Sequence, residues 1–219
     1  MRNLFFALGA ICLLVGCQTH RVEQVGLVEG GGHITSTYQM LHPAGQSLEF
    51  GGRPVDLVLS PDKRTLYVKN DRGLVVIDVE AWKIRQDLRF ISGGGSTHGI
   101  IVTRDGLRVF VTTAQNILWE AKAGDNGQML WGRKITLSGP GGTGNSHPGG
   151  LALSPDEKTA YVCLSRNNSL GIVDLESGTL VKEVAVGVAP FDVALKADGK
   201  TAFVSNWGGR HPKPGEKTA

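Results

Sequence analysis

Asp62-Lys63-Arg64-Thr65-Leu66-Tyr67-Val68 is the first of four versions of one pattern. The others are Asp105-Gly106-Leu107-Arg108-Val109-Phe110-Val111, Asp156-Glu157-Lys158-Thr159-Ala160-Tyr161-Val162 and Asp198-Gly199-Lys200-Thr201-Ala202-Phe203-Val204. Each opens with an aspartate in a turn and runs into an alternating stretch that closes on an aromatic residue and a valine. From aromatic to aromatic (Tyr67, Phe110, Tyr161, Phe203) the steps are 43, 51 and 42 residues. Strand-like patterning at a period of about 40–45 residues belongs to four-stranded blades set around a channel, because a lone blade cannot bury both of its faces. The fold expected is all-β: a β-propeller of four-stranded blades, present as an incomplete arc of about three and a half. The blades are placed at about 54–93, 97–138, 148–187 and 190–219, the last one incomplete at Ala219.

Working outward from the pattern, the third repeat predicts strands over 149–153, 159–164, 170–175 and 180–186, joined at Ser154-Pro155-Asp156-Glu157-Lys158, Asn167-Asn168 and Glu176-Ser177-Gly178. The first repeat predicts strands over 55–59, 65–68, 74–79 and 83–90. Elements of this length with turn chemistry at every joint leave no room for sustained helical periodicity. Asp62, Asp105, Asp156 and Asp198 sit where an aspartate bonds its own turn, so they are read as structural and not as catalytic acids. Asp78 and Asp174 are read in the same way.

At the N-terminus, Arg2 is followed by an apolar run over 4–15 that is too short to span a bilayer, then by a small residue and a cysteine. Residues 1–16 are therefore expected to be a signal peptide and 17–50 a tether with a leading strand, the stretch 19–35 lacking periodicity. Once these are set aside, Cys163 is the one remaining thiol. It lies in an alternating run and is read as a small buried hydrophobe. A net charge of +3 from scattered Lys and Arg gives no basic stripe, which argues against a nucleic-acid partner.

Two resemblances add to this. Leu14-Val15-Gly16-Cys17 resembles a bacterial lipobox, which implies lipidation of Cys17, and Gln18 then leans towards the outer membrane. The alternative is an ordinary secretory signal with an incidental cysteine. The tetrads Tyr67-Val68-Lys69-Asn70, Phe110-Val111-Thr112-Thr113, Tyr161-Val162-Cys163-Leu164 and Phe203-Val204-Ser205-Asn206 look like variants of the YVTN-repeat β-propeller signature, and Val186-Gly187-Val188-Ala189-Pro190 is similar to that family's lead-in to a new blade. Ser165-Arg166-Asn167-Asn168 and Ser205-Asn206-Trp207-Gly208-Gly209-Arg210 resemble a bacterial subset in which the propeller often precedes a phosphoesterase domain of the alkaline phosphatase superfamily. The resemblance starts at about Gly51. No metal ligand or nucleophile of such a phosphoesterase matches any residue here, so its activity is not carried over.

The residues that lead into the innermost strands are Arg53-Pro54, Ser96-Thr97-His98, Ser146-His147-Pro148 and Ala189-Pro190. Asp56 and Asp192 lie just inside, where the other blades carry Gly99 and Gly150. Arg53, Asp56, His98, His147, Asp192 and Arg210 are thus the candidate rim residues, with Arg166 and Asn206 nearby. Such a set suits an anionic ligand or acid–base work, and the alternative is that it satisfies strand ends and binds nothing. No catalytic residue is assigned. The six histidines show no His-x-His or His-x-x-x-His spacing, so no metal site and no cofactor are expected. The glycine-rich runs 92–96 and 139–144 lead into strands and not helices, which makes them connectors and not phosphate loops. Trp82, Trp119, Trp131 and Trp207 are assigned to packing between blades. The function expected is a lipid-anchored binding or scaffold module of the cell envelope. It is read as the N-terminal part of a longer protein, with a protein, a glycan or its own downstream domain as partner. The alternative is lactonase-like hydrolysis at the channel of the completed propeller.

Overall fold

The computed structural model describes residues 24–28, 31–95 and 98–216. The signal segment and Cys17 lie outside them, as do Ser96 and Thr97. Two compact units divide the chain, Met1–Ser47 and Leu48–Ala219.

In the first unit, β1 (Gly26–Leu27), β2 (His33–Ile34) and β3 (Met40–Leu41) form an antiparallel three-stranded sheet. These pairs lie within the stretch 17–50 expected as a tether with a leading strand. Gly31 and Gly32 take positive φ, a region open to glycine, which lets Val28 N–H donate to the Gly32 carbonyl and turn β1 onto β2.

The second unit carries the blades. Blade 1 is β4 (Pro54–Leu59), β5 (Thr65–Asn70), β6 (Gly73–Asp78) and β7 (Lys83–Arg89). Blade 2 is β8 (Ile100–Val102), β9 (Arg108–Thr112), β10 (Ile117–Ala123) and β11 (Met129–Thr136), and blade 3 is β12 (Pro148–Leu153), β13 (Thr159–Leu164), β14 (Ser169–Asp174) and β15 (Thr179–Ala185). β16 (Pro190–Leu195) and β17 (Ala202–Asn206) make a two-stranded fourth sheet. Every sheet is an antiparallel meander, so the expected arc of an incomplete propeller is observed. The expected strand limits differ by one or two residues, and the unit starts at Leu48 because Leu48 and Phe50 pack on Val68, Val75 and Ile77.

Alternation along each strand divides its side chains between two interfaces. Tyr67, Leu74 and Val76 face blade 2, where they meet Ile100, Val109, Val111, Ala121 and Met129. Phe110, Leu118, Ile135 and Leu137 emerge on the other face of blade 2 and pack against Leu151, Ala160, Val162, Leu164 and Val173 of blade 3. Cys163 and Leu170 then meet Val193 of the fourth sheet. Each blade buries its second face only because a neighbour covers it, which is why the pattern must repeat.

The hairpin turns are held as expected. Asp62 Oδ1 accepts from Ser60 Oγ (2.6 Å) and Arg64 N–H (3.1 Å), and Asp105 and Asp156 repeat this with Thr103 and Leu107 and with Ser154 and Lys158. These hydrogen bonds hold all three carboxyls below their ordinary value. The next residue is left-handed in every repeat: Lys63 (φ 61°), Gly106 (74°), Glu157 (55°) and Gly199 (69°).

Candidate functional site

The innermost strands begin at Pro54, Pro148 and Pro190, and in each the register slips immediately, between Pro54 and Asp56, Pro148 and Leu151, and Pro190 and Asp192. A bulge of this kind turns a strand and re-aims the next side chain. In blades 1 and 4 that side chain is a carboxylate, Asp56 or Asp192. In blades 2 and 3 the equivalent residues are Gly99 and Gly150, and the space is occupied. A Cβ on Gly99 would lie 2.2 Å from the Gly149 carbonyl, and one on Gly150 would lie 2.1 Å from Asp192 Oδ1.

These glycines let His98 and both aspartates meet. His98 Nδ1 lies 2.9 Å from Asp56 Oδ2 and Nε2 lies 3.2 Å from Asp192 Oδ1. Asp56 Oδ2 also accepts the Gly99 N–H at 2.8 Å. Burial pushes the Asp56 carboxyl up, but the bonds from His98 and Gly99 and the charge on His98 outweigh it and hold the carboxyl below its ordinary value. The hydrogen bond to Asp56 raises His98, against burial and with help from both aspartate charges. Asp56 and Asp192 approach opposite nitrogens of one ring, so the three groups do not converge on a point where a cation could sit.

Beneath this trio lies Lys69, fully buried on β5. Its Nζ donates to the His98 carbonyl (2.7 Å), the Gly99 carbonyl (3.2 Å) and Thr112 Oγ1 (2.9 Å). Thr112 Oγ1 is in turn 3.1 Å from the Gly149 carbonyl. With Lys69 supplying the other carbonyls, the hydroxyl is best used donating to Gly149, a relay through blades 1, 2 and 3. Burial pulls the Lys69 ammonium down to about 7, opposed by the charge of Asp56. Lys69 was not among the residues singled out from the sequence. Its signal is the third place of the repeated tetrad, where the other copies hold Thr112, Cys163 and Ser205.

On the outer side of His98 three rings stack. The His98 and Phe191 centroids are 5.1 Å apart at 13°, and Phe191 and Trp207 are 4.9 Å apart at 10°. Trp207, assigned from sequence to packing between blades, stacks on Phe191 and is 74% exposed among the described residues. Trp119 and Trp131 do pack as expected: Trp131 stacks on Phe90 of blade 1, and Trp119 Nε1 donates to the Ser92 carbonyl.

Phe191 and Trp207 form one wall of a cavity of about 500 Å3 at this mouth, whose lining includes Arg53, His147 and Arg166. Arg53 N–H is anchored by Asn70 and Asp71, each at 2.9 Å. Arg166 lies in a 3-10 turn (Ser165–Asn167) that ends at left-handed Asn168, whose side-chain oxygen accepts the Ala189 N–H at 2.9 Å. His147 (φ 47°) and Ala189 (φ 51°), each before a proline, are also left-handed, so the mouth is built on strained backbone. No carboxylate lies among the described lining residues. Of the six candidates, Arg53 and His147 line this cavity, and Asp56, His98 and Asp192 form the trio. Arg210 joins neither: its guanidinium pairs with Glu216 through two bonds of 2.7 and 2.8 Å.

No family model matches the chain, and no curated protein matches it. Its fold is similar to solved structures. Hydrazine synthase of Kuenenia stuttgartiensis matches with TM-score 0.58 and 23% identity, over 74% of this chain and 45% of that one. The periplasmic gluconolactonase of Pseudomonas aeruginosa matches with TM-score 0.58 and 24% identity, over 72% of this chain and 48% of that one. A Desulfotomaculum acetoxidans protein of unknown function matches with TM-score 0.58 and 18% identity, over 77% and 52%. The chain thus spans about half the length of the structures it resembles, and the likeness is one of fold.

Proposed function

We propose that this chain is a ligand-binding β-propeller module of the cell envelope that takes an anionic group at the mouth of its channel. One observation carries the reading: the mouth cavity sets Arg53, Arg166 and His147 beside two stacked aromatic rings with no carboxylate among the described lining residues. A concave site of that make-up favours a ligand with a negative group and a flat apolar face. The occupant is an acidic group of a partner protein, of a glycan or of a domain that follows in the same protein, such as the phosphoesterase suggested by the repeat signature. Tethering through a lipidated Cys17, with the module on the outer membrane, belongs to the same proposal and rests on the lipobox-like run at 14–17.

Isothermal titration of the full chain with inorganic phosphate, citrate and glucuronate tests the binding reading. Arg53→Ala and Arg166→Ala should each weaken a measured affinity by about 1–3 kcal/mol while leaving the melting temperature nearly unchanged. Equal affinity in the wild type and the double variant would overturn it. For the anchor, Cys17→Ser should leave an unprocessed precursor, whereas normal cleavage to a soluble product would refute lipidation.

Hydrolysis of lactones is the second reading, favoured by the His98–Asp56 hydrogen bond, which resembles an oriented general base. Against it, the other ring nitrogen also faces a carboxylate, which leaves no lone pair to take a proton from water in this arrangement. Turnover of gluconolactone that disappears in His98→Gln would favour the hydrolase over the binding module.

A further inference from the structure

The Phe191–Trp207 wall stands on the smallest sheet of the second unit, and the ring of His98 is packed flat against its inner face. His98 also reaches two other elements. Asp56 on β4 accepts from Nδ1, and Asp192 on β16, the neighbour of Phe191, meets Nε2. Lys69 on β5 is a further charged group nearby, its Nζ binding the His98 carbonyl, while from β9 the neutral Thr112 hydroxyl approaches the same carbonyl. One ring therefore joins blade 1, blade 2 and the fourth sheet at the point where the cavity wall begins.

We propose that His98 is the positioning residue of the mouth cavity: its two N–H groups tie Asp56 to Asp192, and its ring, lying on Phe191, holds the Phe191–Trp207 wall against the arc. The inference rests on the reading of that cavity as the binding site, but it is tested on the wall itself. Only the imidazolium can donate from both nitrogens. Once one proton leaves, a single carboxylate keeps its bond and the other faces a lone pair. The bond that gives way is the one to Asp192. Asp56 is 19% exposed and accepts the Leu57 and Gly99 N–H groups as well, whereas Asp192 is 50% exposed and accepts the Val193 N–H, so the more exposed carboxylate with fewer donors is the one that yields to water. The neutral ring also loses its cation–π attraction to Phe191. Deprotonation thus frees the side of the trio that carries the wall. Because both aspartates raise His98, the tie is complete below the ordinary histidine value of 6.5 and is lost as pH rises through the higher folded-state value. Lys69, drawn down to about 7, titrates close by and must be separated from it.

The experiment follows Trp207 emission in the full chain from pH 5.5 to 9, taken as the difference between the wild type and Trp207→Phe, beside the His98 Cε1–H shift in the NMR spectrum. A single emission step is expected, with the midpoint of the His98 titration. In Lys69→Met the step should persist. In Asp192→Asn the carboxylate is removed with little change of shape, so the His98 midpoint should fall towards 6.5 and the step should be lost. His98→Phe, which keeps the stack, should give a flat profile. An emission profile that stays flat while His98 titrates would overturn the proposal, as would a step that survives Asp192→Asn or one that disappears in Lys69→Met. None of these readouts needs a ligand, so a failure to bind phosphate, citrate or glucuronate leaves the test standing.

Discussion

Gly99 and Gly106 both have positive φ, 115° and 74°, for different reasons. At Gly106 the nearest atom to an added Cβ is Pro61 Cδ at 3.5 Å, so only the left-handed backbone opposes a side chain. At Gly99 the same Cβ would sit 2.2 Å from the Gly149 carbonyl and 2.3 Å from Thr112 Oγ1. Gly106→Ala should therefore cost about 1 kcal/mol, and Gly99→Ala at least about 3 kcal/mol, because backbone of two blades must move. The fall in urea midpoint at constant slope measures both, and equal losses would refute the close approach at Gly99. Cys163, fully buried and pushed up to about 12 by desolvation, should resist alkylation in the folded protein and react only on unfolding. Rapid labelling under native conditions would contradict its burial.

At the scale of the strands, the third place of the repeated tetrad acts between blades. Lys69 reaches from β5 to the lead-in of β8, and Thr112 reaches from β9 to Gly149 on β12. Thr112→Val would strip an acceptor from the Lys69 ammonium and a donor from Gly149, which should cost about 1–3 kcal/mol. Lys69→Met should cost less, because it removes the buried charge together with its desolvation. The two variants also differ in pH dependence. A lysine held at about 7 when folded and 10.5 when unfolded leaves the unfolded chain with more bound protons between those values, so wild-type stability should rise with pH across that window. Lys69→Met should lose this rise. Denaturant midpoints at pH 7 and pH 9 decide it, and identical slopes in the wild type and the variant would show that Lys69 does not titrate there.

Across the molecule, the trio and the open fourth sheet set the conditions under which the arc holds together. Asp56, held below its ordinary 3.8, contributes stability that is present above that value and lost as pH falls through its folded value. His98, raised above 6.5, contributes stability that is present below that value and lost as pH rises. In Lys69→Met, which removes the opposing trend, thermal stability should therefore peak between about pH 4 and 6.5 and decline on the alkaline side. A rise from pH 6 to 8 in that variant would contradict the trio. Among the described residues β17 pairs with β16 alone, and Phe203 (60%) and Trp207 (74%) are exposed. Unpaired backbone beside exposed aromatics favours edge-to-edge association. Sedimentation of the 219-residue chain should show concentration-dependent self-association that Phe203→Lys reduces.

The sequence by itself determined the blades. Asp62, Asp105, Asp156 and Asp198 each close a turn through bonds to their own neighbours, and alternation along strands such as Tyr67–Val68 assigns successive side chains to opposite faces. Both are short-range effects that a linear reading can follow. It also pointed to Arg53, His147, Asp56, His98 and Asp192 as equivalent residues of equivalent repeats; in the structure Arg53 and His147 line one cavity, and Asp56, His98 and Asp192 form one trio. Only the tertiary structure decided what these residues do there. A proline-led bulge turns Asp56 and Asp192 inward, glycines in the intervening blades leave room for one imidazole to bridge them, and a lysine from a neighbouring blade binds the backbone carbonyl of that histidine. Arg210 went the other way, because Glu216, a few residues along the chain, offers its guanidinium a bidentate partner. Trp207 lines the cavity by stacking on Phe191 of the neighbouring strand, a contact that the repeat pattern does not encode. Burial, and therefore charge state and exposure, depends on what the neighbouring blade supplies, and periodicity within one repeat carries no record of that.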